Sequence, residues 1–133
     1  MPYLIGLILA LLTATLAAVV GLDRGRAFYS TVLIVVATYY ILFAVMGGSS
    51  RALVSEIVVA AGFTLVSIIG FKLNTWIVAA ALVGHGLFDS VHHLIIQNPG
   101  VPAWWPGFCL AFDATIGVFL AIRQIRKNAM VKM

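Results

Sequence analysis

All three histidines of the chain and one of its four acidic residues lie between positions 85 and 93. His85, Asp89 and His92 are spaced by four and three residues, and His93 follows directly. On a helix, residues three or four positions apart share one face. Imidazole and carboxylate are common ligands of zinc, iron and manganese. The spacing therefore predicts a metal site on one face of a helix.

Two further acids, Glu56 and Asp113, lie within apolar stretches that contain no deeply placed Lys or Arg. An uncompensated charge at the centre of a membrane helix costs about 2.5–3.5 kcal/mol on insertion scales. Protons, protonated histidines or a divalent cation are the three candidates for balancing these acids. The metal explains the residue types best. We predict Asp89, His92, His93 and Asp113 as ligands of Zn, Fe or Mn, with Glu56 and His85 as catalytic groups.

Two structural interpretations compete with the metal site. His92 and His93 lie close to a span end, where they can hydrogen-bond to the 97–106 loop. Asp89 and Asp113 can instead be protonated and join two helices through hydrogen bonds. In both cases the polar residues would stabilise the fold without chemistry.

Three other polarizable side chains are expected to pack rather than react. Tyr39 and Tyr40 need one hydrogen-bond partner each when they are buried. Cys109 is the single cysteine, so the chain contains no internal disulfide. A lone cysteine in an apolar segment usually behaves as a small packing residue.

The composition makes lipid the solvent of this chain. It has 133 residues, of which 63% are hydrophobic and 9% charged. Soluble domains carry about 25% charged residues. The net charge of +4 comes from basic residues in loops and at the C-terminus, a pattern typical of membrane orientation and not of nucleic-acid binding.

Five apolar segments are long enough to cross a bilayer, which takes about 20 residues in a helix. We predict an all-α, polytopic membrane helix bundle that forms one transmembrane domain. The first segment lacks a basic N-terminal region and is expected to be retained, not cleaved as a signal peptide. The predicted spans are 3–22, 27–46, 52–71, 76–96 and 107–122.

The distribution of Lys and Arg predicts the orientation. With five spans, seven of the eight basic residues fall on one side and Arg51 alone on the other. The side rich in Lys and Arg faces the cytoplasm, so the N-terminus is predicted outside, most simply in a bacterial inner membrane. The polar residues of the spans then lie mainly in the outer half of the bilayer.

The segments 85–93, 98–106 and 108–113 resemble a family of small bacterial integral-membrane proteins known as a domain of unknown function. That resemblance covers the last two spans and implies no activity. It implies that five residues belong together, namely His85, Asp89, His92, His93 and Asp113.

The run Asp89-x-x-His92-His93 is similar to the histidine boxes of membrane desaturases and hydroxylases, with Asp in place of the first His. Those enzymes use many more histidines than the three found here. A di-iron site of their type is therefore disfavoured.

The leading hypothesis is a metal-dependent membrane hydrolase that acts on a lipid or other amphipathic substrate. Water activated by the ion would be the nucleophile, and Glu56 or a spare histidine the general base. The first alternative is a transporter of protons or metal ions. The second is an accessory subunit that binds a cofactor such as haem. Whether the chain forms a homo-oligomer is left open.

Overall fold

The computed structural model describes residues 1–132 and contains five helices and no strand in that range. All five helices are long and apolar enough to span a membrane, which confirms the predicted all-α architecture and supports an integral membrane protein. The helices are α1 (Pro2–Val20), α2 (Ala27–Met46), α3 (Ser50–Leu73), α4 (Thr75–Ile95) and α5 (Trp105–Lys132).

The helix boundaries follow from local hydrogen bonding and backbone geometry. Pro2 occupies the first turn of α1, and Gly21 ends that helix in a left-handed conformation with φ of 87°, as is common at helix C-termini. The Ser49 hydroxyl accepts a hydrogen bond from the Ala52 amide at the start of α3. Asn74 separates α3 from α4 and caps α4 through the Trp76 amide. α5 extends to Lys132, ten residues beyond the predicted span end at 122.

The helices pack in an order different from their order in the chain. α5 lies between α1 and α4, and α3 lies between α2 and α4. Small residues let α1 approach α5 closely, since its buried positions are Gly6, Ala10, Ala14 and Ala17. The buried apolar core centres on Leu33, Leu82 and Ile116. Along the helices it lies between His85 and the end of the bundle opposite to the N-terminus.

Polar contacts hold the bundle together at the end opposite to the N-terminus. Asp23, in the α1–α2 connection, forms an ion pair with Arg123 of α5 and accepts a hydrogen bond from the Tyr29 hydroxyl. The Arg26 guanidinium donates to the carbonyl oxygens of Phe71 and Lys72 at the end of α3. These contacts pair Asp23 Oδ2 and two carbonyl oxygens at the end of α3, while Asp23 Oδ1 is buried without a hydrogen-bond partner among the described residues.

Two glycines set the close approach of α4 and α5. A Cβ atom at Gly117 would lie 2.7 Å from a methyl carbon of Val83 and 2.9 Å from the carbonyl oxygen of Ala79. A Cβ atom at Gly86 would lie 3.2 Å from the Cβ of Asp113. Because Gly86 and Gly117 have no side chains, the backbones of α4 and α5 approach closely. Asp113 therefore lies against the polar face of α4.

Replacing Gly117 with alanine is expected to lower stability, because the added methyl group has no space between α4 and α5. Overpacking of this kind costs about 1–3 kcal/mol. The measurement is the thermal unfolding midpoint of the detergent-purified protein. The matched control is Gly62→Ala in α3, where the added Cβ would meet no atom within 4 Å and the midpoint should stay or rise. Equal midpoints for the two variants would contradict the close helix packing.

Candidate metal centre

His85, Asp89 and Asp113 form the most deeply buried polar group of the bundle, and we call them the triad. His85 and Asp89 lie one turn apart on α4, and Asp113 reaches them from α5. His85 Nδ1 lies 2.6 Å from Asp113 Oδ2 and 3.4 Å from Asp89 Oδ2. One ligand atom from each residue lies within 4.8 Å of the others. The three residues could therefore hold one metal ion.

The triad contains carboxylate oxygens without hydrogen-bond partners. Both side-chain oxygens of Asp89 and Oδ1 of Asp113 are buried and have no hydrogen-bond partner of normal geometry among the described residues, although His85, Tyr40 and Cys109 lie close to Asp89. Asp89 and Asp113 are each 0% exposed. A buried polar atom without a partner costs free energy, and an uncompensated buried charge costs more. A cation at the triad would satisfy these oxygens, so the donor set fits a metal.

The distances also fit a metal after small movements. Two atoms that bind zinc tetrahedrally at about 2.0–2.2 Å are about 3.4 Å from each other. The 3.4 Å contact of His85 with Asp89 equals this separation, whereas the 2.6 Å contact with Asp113 has the length of a hydrogen bond and would have to lengthen. Three protein ligands leave a fourth position free, as in catalytic zinc sites.

Glu56, His92 and Asn98 form a second polar group, which we call the outer group. Glu56 Oε1 lies 2.6 Å from His92 Nε2 and accepts a hydrogen bond of 3.1 Å from Asn98 Nδ2. The same Asn98 amide group donates to the Tyr40 carbonyl oxygen at 3.1 Å. The outer group thus joins α2, α3, α4 and the connection before α5.

Tyr40 lies between the triad and the outer group. Its ring stacks on His92 with a centroid separation of 4.1 Å and lies 6.4 Å from the ring of His85. Its hydroxyl is buried, lies near Asp89 and has no hydrogen-bond partner among residues 1–132 under normal geometry. The tyrosine expected to serve packing alone is therefore the side chain that separates the two polar groups. Tyr39, its neighbour, is partly exposed instead.

The structure distributes the predicted site residues over three places. Asp89 and Asp113 lie together, as predicted for two metal ligands. The histidine beside them is His85, whereas the sequence analysis predicted His92 and His93 as the histidine ligands. His92 is paired with Glu56 in the outer group. His93 is exposed at the end of α4, away from the triad. His85 lies near the middle of α4, and the depth of these residues in a membrane stays a prediction.

Sequence reasoning missed Asn98 and the position of Tyr40. Asn98 follows α4 by three residues, and its side chain also accepts a hydrogen bond from the Gly100 amide. The only sequence feature that pointed to Asn98 was a side-chain amide in a turn directly after the polar end of a helix. For Tyr40 no pattern distinguished it from the adjacent Tyr39.

Two cavities lie beside the site, and neither is lined by the triad. A polar cavity of about 880 Å³ lies at the N-terminal end of the bundle and is lined in part by His92, His93 and Asn98. An apolar cleft of about 630 Å³ lies between α2 and α5. The outer group therefore contacts a cavity, whereas the triad is closed.

Comparisons of the chain with known protein families, with curated proteins and with solved structures find no match. The resemblance of the last two spans to a small bacterial family therefore stays a prediction. What the chain does has to be argued from its own site.

Replacing Glu56 with alanine is expected to destabilise the protein, because His92 and Asn98 lose their shared acceptor inside the bundle. Each buried group left unpaired costs about 1–3 kcal/mol. The thermal unfolding midpoint should fall for Glu56→Ala and fall less for Glu56→Gln, which keeps one carbonyl oxygen. Ser55→Ala is the neighbouring control, since Ser55 bonds only to the carbonyl of its own helix. A Glu56→Ala protein as stable as Ser55→Ala would contradict the contacts described.

Proposed function

We propose that this chain is an integral membrane metalloenzyme whose ion is held by His85, Asp89 and Asp113. The observation that supports this most strongly is the set of buried carboxylate oxygens without partners. One imidazole and two carboxylates suit Zn, Fe or Mn. A divalent cation with two ionised Asp and a neutral His has no net charge, which suits an apolar bundle.

Hydrolysis is the reaction class we propose, because the histidines are too few for di-iron oxygen chemistry. When bound with an open position, an ion such as zinc lowers the pKa of its water to about 7 and supplies a nucleophile. His85, Asp89 and Asp113 would orient that water inside the bundle. His85 then acts as a ligand, and its predicted role as a general base passes to the outer group.

The outer group has the arrangement of an acid–base pair. Glu56 holds one ring nitrogen of His92 at 2.6 Å, and a carboxylate in this position fixes the orientation and tautomer of the imidazole. His92 lines the polar cavity, where it can exchange protons with water. We assign proton transfer to His92 and its positioning to Glu56, with Tyr40 between this pair and the triad.

The proposed orientation places the site towards the outside of the cell. Seven basic residues flank the helix ends opposite to the N-terminus, which favours a cytoplasmic C-terminus. In a bacterial inner membrane, the polar cavity would then open outward. An amphipathic substrate of the outer leaflet would meet the outer group first.

Transport of protons or metal ions through the chain is a weaker candidate for its function. Leu33, Leu82 and Ile116 are each 0% exposed and lie on the inner side of the triad. This apolar layer interrupts any series of polar groups through the single chain. A transport path would need openings at both ends of the bundle. An enzyme needs access for its substrate from one side only, which agrees with the polar cavity at one end.

The metal centre is tested by elemental analysis of protein purified without chelator. Near-stoichiometric Zn, Fe or Mn is expected in the wild type. Even the loss of a residue that only hydrogen-bonds to a ligand costs about 10–100-fold in metal affinity, so His85→Ala, Asp89→Asn and Asp113→Asn should each lose most of the ion. His93→Ala should keep it, because His93 is exposed away from the triad.

Two results would overturn this proposal. One is that the purified protein contains no metal, even when the purification is repeated with added Zn, Fe and Mn. The other is metal content that Asp89→Asn and Asp113→Asn leave unchanged. Monodisperse elution in gel filtration checks that each variant is folded.

The orientation is tested by cysteine labelling of intact cells in a Cys109→Ala background. Ser50→Cys lies at the start of α3, and Asn128→Cys lies near the end of α5 at the opposite end of the bundle. A membrane-impermeant maleimide should label the first variant, and should label the second only after cells are opened. The reverse pattern would place the site towards the cytoplasm.

A further inference from the structure

The apolar cleft between α2 and α5 exists because these two helices do not pack along their length. α2 packs on α3, and α5 packs on α1 and α4. The space left between them is about 630 Å³, within the range of about 300–1,000 Å³ that small-molecule sites occupy. An unfilled space of this size between two membrane helices has to hold hydrocarbon.

The shape of the cleft suits one extended chain. Along α2 its wall runs from Ala27 to Tyr39, which is about 18 Å at 1.5 Å per residue. The side chains of Thr31 and Val35 line it and are exposed, so the cleft is open laterally. The opposite wall includes the rings of Phe108 and Phe112.

Aromatic side chains close the outer end of the cleft. Trp105 lies 5.1 Å from Tyr39 and 4.8 Å from Phe43, measured between ring centroids. A phospholipid tail descends from the interface, so this closure blocks its direct path. An occupant that enters through the lateral opening can place a small polar end beneath Trp105, within the bundle.

The same end of the cleft adjoins the metal centre. Cys109 lines the cleft and is 1% exposed. It packs with Tyr40, lies near Asp89, and precedes Asp113 by one helical turn. The Cys109 side chain, packed against Tyr40, therefore lies both in the wall of the cleft and beside the triad.

We infer that the cleft binds the alkyl chain of a single-chain amphiphile, which is the substrate of the metal centre. This inference rests on the proposed function for the chemical step, and on the cleft alone for binding. Asp89 lies six residues from the end of α4, about 9 Å along the helix axis. A lipid with a large headgroup would have to sink by that distance, whereas a small polar end beneath Trp105 already lies at this depth.

The test uses fluorescence quenching of Trp105 in lipid nanodiscs. In a Trp76→Phe, Trp104→Phe background, Trp105 is the remaining tryptophan. The probes are a fatty acid brominated in mid-chain and a phospholipid with the same brominated chain. The fatty acid should quench saturably at low mole fraction, and the phospholipid only in proportion to its abundance.

Blocking variants show whether the quenching comes from the cleft. Val35→Phe and Thr31→Phe each place a ring in the cleft and should weaken fatty-acid binding by roughly tenfold, a difference of about 1.4 kcal/mol. Val58→Phe on α3 is the matched control, since Val58 is 66% exposed and lies outside the cleft. Using two blocking variants guards against a folding defect in either one.

The outcomes separate the two proposals. Quenching that is linear for both probes, or equal in Val35→Phe and Val58→Phe, overturns the cleft as a binding site and shows ordinary lipid contact. Saturable quenching by the phospholipid as well overturns the restriction to a single chain. The metal content of the same preparations is measured in parallel. Saturable fatty-acid binding without metal supports the cleft and overturns the metalloenzyme, whereas metal without saturable binding does the reverse.

Discussion

The balance of charge around Asp89 and Asp113 is the constraint on which the rest of the bundle depends. Both carboxyl groups are completely buried, and their ion-pair partner within residues 1–132 is His85. One histidine cannot neutralise two carboxylates. The remaining charge requires a proton or a cation at this position. The Glu56–His92 pair is different, since one proton between them balances it. The need for a further proton or a cation is therefore specific to the triad.

Helix α4 carries the polar residues that determine how the neighbouring helices pack around it. It carries His85 and Asp89 towards α5, and His92 towards α3. Gly86 keeps the α5 backbone close enough for Asp113 to reach the same point. Because one face of α4 carries polar contacts to both α5 and α3, the helix has a defined rotation. In lipid, apolar faces alone distinguish helix rotations poorly, so polar contacts contribute specificity as well as chemistry.

Much of this arrangement was predictable from the sequence, and the limit has a physical cause. Hydropathy and turn residues predicted five helices and the depth of Glu56, Asp89 and Asp113. Depth does not show which helices are neighbours, because lipid-facing and protein-facing apolar surfaces have similar compositions. His85 and His92 are two turns apart on one face, so both were candidates for the group beside Asp113. The register of α4 against α5, in which Gly86 faces Asp113, decides between them, and no local pattern encodes that register.

The closure of the triad has a consequence for any chemistry performed there. The outer group contacts a polar cavity, the cleft contacts Cys109, and the triad contacts neither space directly. Tyr40 lies where these three regions meet, with its hydroxyl near Asp89 and its ring on His92. If the cleft holds a substrate and the triad holds an ion, as we propose, a change of rotamer at Tyr40 or Cys109 would be needed to connect the two. The same two side chains would then control the access of both substrate and water, which a closed centre requires if it is to react with an amphiphile and not serve a purely structural role.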